Sequence, residues 1–189
     1  IIVNPNKPTG KVIAEEILDD LSKKVRILII DESFKTFSSR RVQKCDNVIQ
    51  INSLGKFFGL AGVRLGFVSG PSDFIKSVRG MLGPWPISSI AAEIGIIALN
   101  DTTWISEMEK ILLEGSNVLH EACSTRNWKL VGKTNLFHTY ATSNCVEVEE
   151  QFAAHNIWIR TFDYSKNWVR LGIPTSKYEW TRVRRALNQ

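Results

Sequence analysis

The first part of the chain alternates short apolar runs with stretches of helical spacing. Ile1–Val3 reads as a strand that stops at the turn-rich Asn4-Pro5-Asn6-Lys7-Pro8-Thr9-Gly10. Val12, Ile13, Ile17, Leu18 and Leu21 then recur at helical spacing and predict a helix closing near Lys23-Lys24. Val25-Arg26-Ile27-Leu28-Ile29-Ile30 is a nearly continuous β-branched run, the pattern of a strand buried on both faces of a parallel sheet. Val48–Ile51 and Leu65–Val68 predict two more strands, the second closed by Gly70-Pro71. This rhythm of strand and helix predicts an α/β domain with a mostly parallel sheet.

After Gly83-Pro84-Trp85-Pro86 the pattern becomes helical, with one helix running to Leu99 and a long one from Trp104 to Thr125. Short strands follow around Trp128–Val131, Leu136–Ala141, Trp158–Thr161 and Val169–Gly172, with a helix near Val146–His155. Ser176-Lys177-Tyr178-Glu179 has the form of a capping box and predicts a closing helix. The division expected is therefore an α/β domain over 1–100 and a smaller α+β domain over 101–189. No internal repeat or low-complexity segment interrupts either.

Composition narrows the classes. A chain of 189 residues that is 43% hydrophobic and holds six tryptophans buries a sizeable core and is not disordered. No apolar run is long enough to span a bilayer, and no basic segment leads into an apolar signal stretch, so no membrane partner is expected. Cys45, Cys123 and Cys145 are odd in number and widely spaced, which fits a reducing cytosol better than a disulfide framework. His120, His138 and His155 show no metal-ligand spacing, and no metal site is expected. The net charge of +5 sits in short runs such as Arg40-Arg41 and Arg182-Val183-Arg184-Arg185. These read as solvated faces, and no nucleic-acid partner is expected.

The chemistry concentrates at Ser53-Leu54-Gly55-Lys56-Phe57-Phe58-Gly59-Leu60-Ala61-Gly62-Val63-Arg64-Leu65-Gly66. In a parallel sheet, ligands bind outside the carboxyl ends of the strands. Three such ends are polar, Asn4–Gly10, Asp31–Phe34 and Ser53–Lys56, and each is expected on the same sheet edge. Alone, Lys56 is an ordinary turn lysine. A lysine amine becomes nucleophilic when desolvation or a neighbouring cation lowers its pKa, and Phe57, Phe58, Leu60 and Val63 on one hand, Arg64 on the other, are candidates to do so. An aromatic cationic phosphate ester would satisfy the whole set. Asp31 would hold a protonated ring nitrogen, Lys56 would bond an aldehyde carbon, and Ser53 with Arg64 would hold the phosphate. A DE dipeptide after an apolar strand also occurs in ATPases, but the GxxxxGK[ST] loop is absent and the glycines do not form GxGxxG.

On these residues the chain resembles the pyridoxal-phosphate-dependent fold-type-I family, aminotransferase class I/II. The resemblance rests on Asn4–Gly10, Asp31-Glu32-Ser33-Phe34, Ser53–Lys56 and Gly62-Val63-Arg64-Leu65-Gly66. It continues through Gly83–Ser88, Thr134-Asn135-Leu136-Phe137 and Trp168-Val169-Arg170-Leu171-Gly172, nearly the whole chain. The wording from Gly55 to Gly62, with Phe34 where most relatives have tyrosine, is most similar to the cobalamin-biosynthesis branch, close to L-threonine O-3-phosphate decarboxylases and histidinol-phosphate aminotransferases. The resemblance implies pyridoxal 5′-phosphate as cofactor, a phosphorylated amino acid as substrate and a cytoplasmic homodimer. It implies Lys56 as the Schiff-base lysine and proton shuttle, and Asn4, Asp31, Phe34, Ser53 and Arg64 as cofactor-binding positions. Arg170 would hold the substrate carboxylate, Arg160 a distal phosphate, and Asn135 would also face the substrate.

Two positions depart from the family pattern. Lys7 stands where the family has an asparagine before Pro-Thr-Gly, and Phe34 lacks the usual hydroxyl. The resemblance also expects an upstream substrate arm, a glycine-rich phosphate loop and a ring-stacking aromatic residue before Ile1. The chain therefore reads as truncated at its N-terminus relative to the family, with its four remaining large-domain strands still contiguous and an apolar face open to self-association. A catalyst and a non-catalytic remnant of the fold are both open readings at this point.

Overall fold

The computed structural model describes residues 1–37 and 45–188, so the Arg40-Arg41 run lies outside the described residues. The chain packs into two compact units, Ile1–Lys7 with Val12–Ile105, and Pro8–Lys11 with the chain from Ser106 onward.

The first unit contains β1 (Ile2–Val3), α1 (Glu15–Ser22), β2 (Leu28–Asp31), β3 (Val48–Ser53), β4 (Gly66–Ser69), α2 (Ser72–Leu82) and α3 (Ser89–Asn100). Its sheet has the contiguous order β1-β2-β3-β4. β1, β2 and β3 are parallel, with Val3 beside Asp31 and Asp31 beside Ile51. β4 runs antiparallel to β3. The link between them holds only a 3-10 turn at Ala61–Val63, without the crossover helix a parallel return normally uses.

Local hydrogen bonds explain where the elements depart from the sequence pattern. The helix expected from Val12 starts at Glu15, because Asn4 takes both backbone groups of Ile13. Ile13 N–H donates to Asn4 Oδ1 at 2.9 Å, and Asn4 Nδ2 donates to the Ile13 carbonyl at 3.0 Å. The apolar run from Val25 becomes a strand only at Leu28. Asn47 Nδ2 donates to the carbonyls of Ser22 and Val25 and holds the preceding residues in a turn. No element is predicted between Gly70-Pro71 and Gly83-Pro84, yet α2 lies there, with Phe74, Ile75 and Val78 at helical spacing. One core of this unit joins Leu18, Leu28, Ile30 and Val48. Elsewhere in it Phe57 and Phe58 are buried, and Phe58 stacks on Trp104 at 5.6 Å.

The second unit takes most of α4 (Thr102–Ser124), then β5 (Lys129–Lys133), β6 (Phe137–Ala141), α5 (Cys145–Ala154), β7 (Arg160–Phe162), β8 (Ser165–Gly172) and α6 (Lys177–Leu187). Its sheet is antiparallel in the order β5-β6-β8-β7. Asn144 caps α5, and the predicted capping box of Ser176 and Glu179 opens α6. The core gathers Leu119, Phe152, Ile159, Val169 and Ala186.

Pro8–Lys11 belongs to this unit because two glycines let it lie close to β5. A Cβ on Gly132 would sit 2.6 Å from the Thr9 carbonyl oxygen, and one on Gly10 would sit 2.9 Å from Lys133 N. Thr139 Oγ1 donates to the Pro8 carbonyl at 2.6 Å and fixes the strap in place.

A buried polar chain crosses the second unit's core. Ser116 Oγ is 2.8 Å from His138 Nε2, and His138 Nδ1 is 3.1 Å from the Tyr140 hydroxyl, which meets the Cys123 thiol. Burial raises both the Tyr140 and Cys123 values, Cys123 to about 11, so both stay neutral. Burial, then the charges of Lys133 and His120, lower His138 from 6.5 to about 3. Between those values the unfolded chain takes up a proton that the folded chain refuses. Stability is therefore fully present above about pH 6.5 and falls as the pH drops toward 3, by an amount on the order of a few kcal/mol. Urea midpoints measured from pH 7 to pH 4 should fall with acid, and His138→Gln should flatten that slope.

Candidate active site

In the first unit, the parallel register places the ends of β1, β2 and β3 on one edge. Asp31 closes β2, and its Oδ1 accepts from both the backbone N–H and the hydroxyl of Ser33. Ser53 closes β3 and leads into the loop that carries Lys56. A cavity of about 270 Å³ lies there, bordered by Asn52, Ser53, Lys56, Leu60 and Arg64. A hydroxyl, an ammonium and a guanidinium around one small cavity form a donor set for a phosphate. Arg64 reaches it from a left-handed backbone, φ 60° and ψ 36°. That conformation costs an L-residue roughly 1–2 kcal/mol and is typical of residues placed for binding. Asn52 Oδ1 is buried in the same wall with no hydrogen-bond partner among the described residues.

Lys56 is exposed, and its ammonium lies 5.5 Å from the centre of the Phe34 ring. The expectation that Phe57 and Phe58 surround this amine is corrected. Their rings turn into the core, against each other and Trp104, and the aromatic neighbour of Lys56 is Phe34. Phe34 is thus an apolar floor under the amine. Asn4 is placed differently from the expectation too. It is 3% exposed, and both ends of its amide are committed to Ile13, so it shapes the loop. Lys7, at the departure from the family pattern, is exposed.

In the second unit, Arg160 and Arg170 face each other directly across β7 and β8. Like charges placed so oppose folding unless an anion lies between them. The Arg170 guanidinium sits 4.9 Å from the Phe137 ring centre and 5.9 Å from that of Phe162. Its Nη1 is buried with no hydrogen-bond partner among the described residues. Burial, followed by the charge of Arg160, lowers its pKa, while Tyr164 acts in the opposite direction. A guanidinium with a buried, unpartnered Nη1 beside a second cation has the chemistry to receive an anionic group. Asn135 lies in the turn between β5 and β6, where Thr134 Oγ1 accepts from the N–H groups of Leu136 and Phe137.

Sequence reasoning overlooked Asn52 and Phe162. Asn52 carried a signal, a polar residue at the end of an apolar strand. Phe162 carried none, because its place beside Arg170 depends on the pairing of β7 with β8.

Residues 1–187 match the family described as aminotransferase class I and II. The chain belongs to that family. Among curated class I/II members it is similar to threonine-phosphate decarboxylase from Pseudomonas aeruginosa, at 31% identity over 99% of this chain and 59% of that protein. It is also similar to histidinol-phosphate aminotransferase from Clostridium novyi, at 28% identity over 92% of this chain and 51% of that protein. The solved histidinol-phosphate aminotransferase from Clostridium acetobutylicum shares the fold, with a TM-score of 0.83 at 22% identity over 98% of this chain and 62% of that one. The chain thus spans between half and two thirds of the length of these class I/II relatives. The aminotransferase class I/II and threonine-phosphate decarboxylase relatives depend on pyridoxal 5′-phosphate. The first unit fits that group: a phosphate-type donor set, a lysine amine, the Asp31 carboxylate on the same edge, and an orphaned polar atom in the cavity wall.

Proposed function

We propose that this chain carries the cofactor and substrate residues of a pyridoxal-phosphate enzyme acting on a phosphorylated amino acid, by preference an L-threonine O-3-phosphate decarboxylase. The observation that carries the reading is the Arg160–Arg170 pair with its unpartnered buried Nη1. Two cations side by side suit a substrate bearing two anions, a carboxylate and a phosphate. Bound at the first unit, the cofactor supplies an electron sink for charge developing at the substrate Cα. Asp31 keeps a cationic ring nitrogen paired, and Ser53 and Arg64 hold the cofactor phosphate. Lys56 moves the proton at Cα, Arg170 binds the carboxylate and Arg160 the distal phosphate. The two units correspond in this reading to the large cofactor domain (1–100) and the small domain (101–189). The free thiols of Cys45, Cys123 and Cys145 suit a cytoplasmic setting.

Similarity to the Clostridium novyi aminotransferase supports transamination as the second reading. Supplying threonine phosphate and pyridoxal phosphate without any keto-acid acceptor separates the two. Release of CO₂ with aminopropanol phosphate is expected. Turnover that strictly requires an acceptor would move the assignment to transamination, and failure with either would leave the chain a non-catalytic remnant.

A homodimer belongs to the same proposal. α3 is apolar on nearly every side, yet Ile90, Ile96 and Ile97 are 74%, 56% and 62% exposed. A helix of that composition is normally covered. Ile97→Glu should weaken self-association at least about thirtyfold in sedimentation equilibrium, the scale of a central interface residue. Monomeric wild-type protein at high concentration would rule the dimer out.

A further inference from the structure

Immediately after Asp31 the chain buries a second carboxylate that the reading above does not use. Glu32 is 2% exposed, which for an ionised side chain is costly without partners. It has two. Lys35 Nζ donates to Oε1 at 2.8 Å, and Gln50 Nε2 donates to Oε2 at 3.0 Å. The backbone repeats the first link and ties Glu32 to the residue after Gln50. Lys35 N–H donates to the Glu32 carbonyl at 2.9 Å, and Glu32 N–H donates to the Ile51 carbonyl at 2.8 Å.

The cluster joins two segments that carry proposed cofactor-facing groups, the turn after β2 and strand β3. The Glu32–Lys35 pair closes the turn that presents Phe34 beneath Lys56. Gln50 lies on β3, in the segment that runs on through Asn52 and Ser53 to the cavity. Glu32 therefore ties the end of β2, with Asp31 and Phe34, to the end of β3, with Ser53 and the Lys56 loop. A surface pair between flexible side chains would hold little. A carboxylate this deeply buried, bonded on both oxygens, holds a fixed geometry.

We infer that Glu32, with Lys35 and Gln50, is the positioning cluster that sets Asp31 and Phe34 against the Lys56 loop for cofactor capture. It touches neither cofactor nor substrate; it acts through its neighbours in the chain. The inference rests on the proposed cofactor role of Lys56 and Asp31.

The test titrates the full chain with pyridoxal 5′-phosphate, following the absorbance band and, separately, urea unfolding. Glu32→Gln leaves the Lys35 ammonium without its counter-charge and should lower both stability and cofactor affinity. Glu32→Gln with Lys35→Met removes both charges and should recover the unfolding midpoint. Its cofactor dissociation constant should stay raised roughly tenfold, the scale for groups one contact removed from a ligand, with an altered band shape. A double variant with wild-type stability, affinity and band would overturn the inference. Should neither Glu32 variant fold, Gln50→Leu, which keeps the ion pair, carries the same test. A raised dissociation constant there supports the inference, and an unchanged one overturns it. A wild-type chain that shows no saturable band would instead remove the cofactor reading itself, a distinct outcome.

Discussion

Lys56→Ala should abolish the absorbance band that pyridoxal phosphate is expected to form with the wild-type chain, along with its sensitivity to borohydride. The expectation follows from placement. Lys56 is the lysine that borders the cavity of Ser53 and Arg64, and its ammonium has an aromatic face 5.5 Å away. Reduction of the wild-type adduct followed by peptide mapping should put the label on Lys56. Because this side chain is exposed and lends nothing to either core, the substitution should change stability by no more than about 0.5 kcal/mol. A band that survives in Lys56→Ala, with the reduced label on another lysine, would remove the assignment. The small stability change matters as much as the lost band, since it separates lost chemistry from lost fold.

Arg170→Met should likewise separate binding from folding. The orphaned Nη1 and the facing Arg160 both work against folding. Methionine keeps the apolar contact with Phe137 and Phe162 while removing the charge. The lost cation–π attraction is about 0.5–1 kcal/mol, and relief of like-charge opposition returns about 0.2–1 kcal/mol. Removing the orphaned Nη1 returns a further ~1–3 kcal/mol, so the unfolding midpoint should be at or above that of wild type. If Arg170 holds the substrate carboxylate as proposed, binding of threonine phosphate should nevertheless weaken by roughly 3 kcal/mol, about two orders of magnitude. Calorimetric titration with threonine phosphate reads the second quantity and urea unfolding the first. Unchanged substrate affinity would detach Arg170 from the substrate. Arg170→Lys should recover only part of the loss, since an ammonium lacks the planar fork.

Much of this arrangement could be read from the chain itself, for identifiable reasons. The strand ends at Asp31 and Ser53 were legible because β-branched runs stop at them abruptly, and parallel strands send such ends to one edge. The capping box at Ser176 was legible because its bonds join residues three apart. Long-range polar contacts were not. Asn4 cuts into the helical pattern at Ile13 through a side chain nine positions away, and Asn47 delays β2 from twenty-two positions away at Val25. Phe57 and Phe58 were misjudged because adjacency to Lys56 says nothing about which way a ring turns. The facing of Arg160 and Arg170 depends on strand pairing that no local pattern encodes.

The strap of Pro8–Lys11 has a consequence for anyone dividing the protein. The chain visits the second unit briefly, returns to the first, and crosses again at Ser106. No single peptide bond separates the two units. A fragment beginning at Ser106 would lack the segment that covers Gly132 and accepts from Thr139. An independently folding second unit should need that strap restored, for instance by a permuted chain in which residues 8–11 are joined by a linker to the C-terminal end.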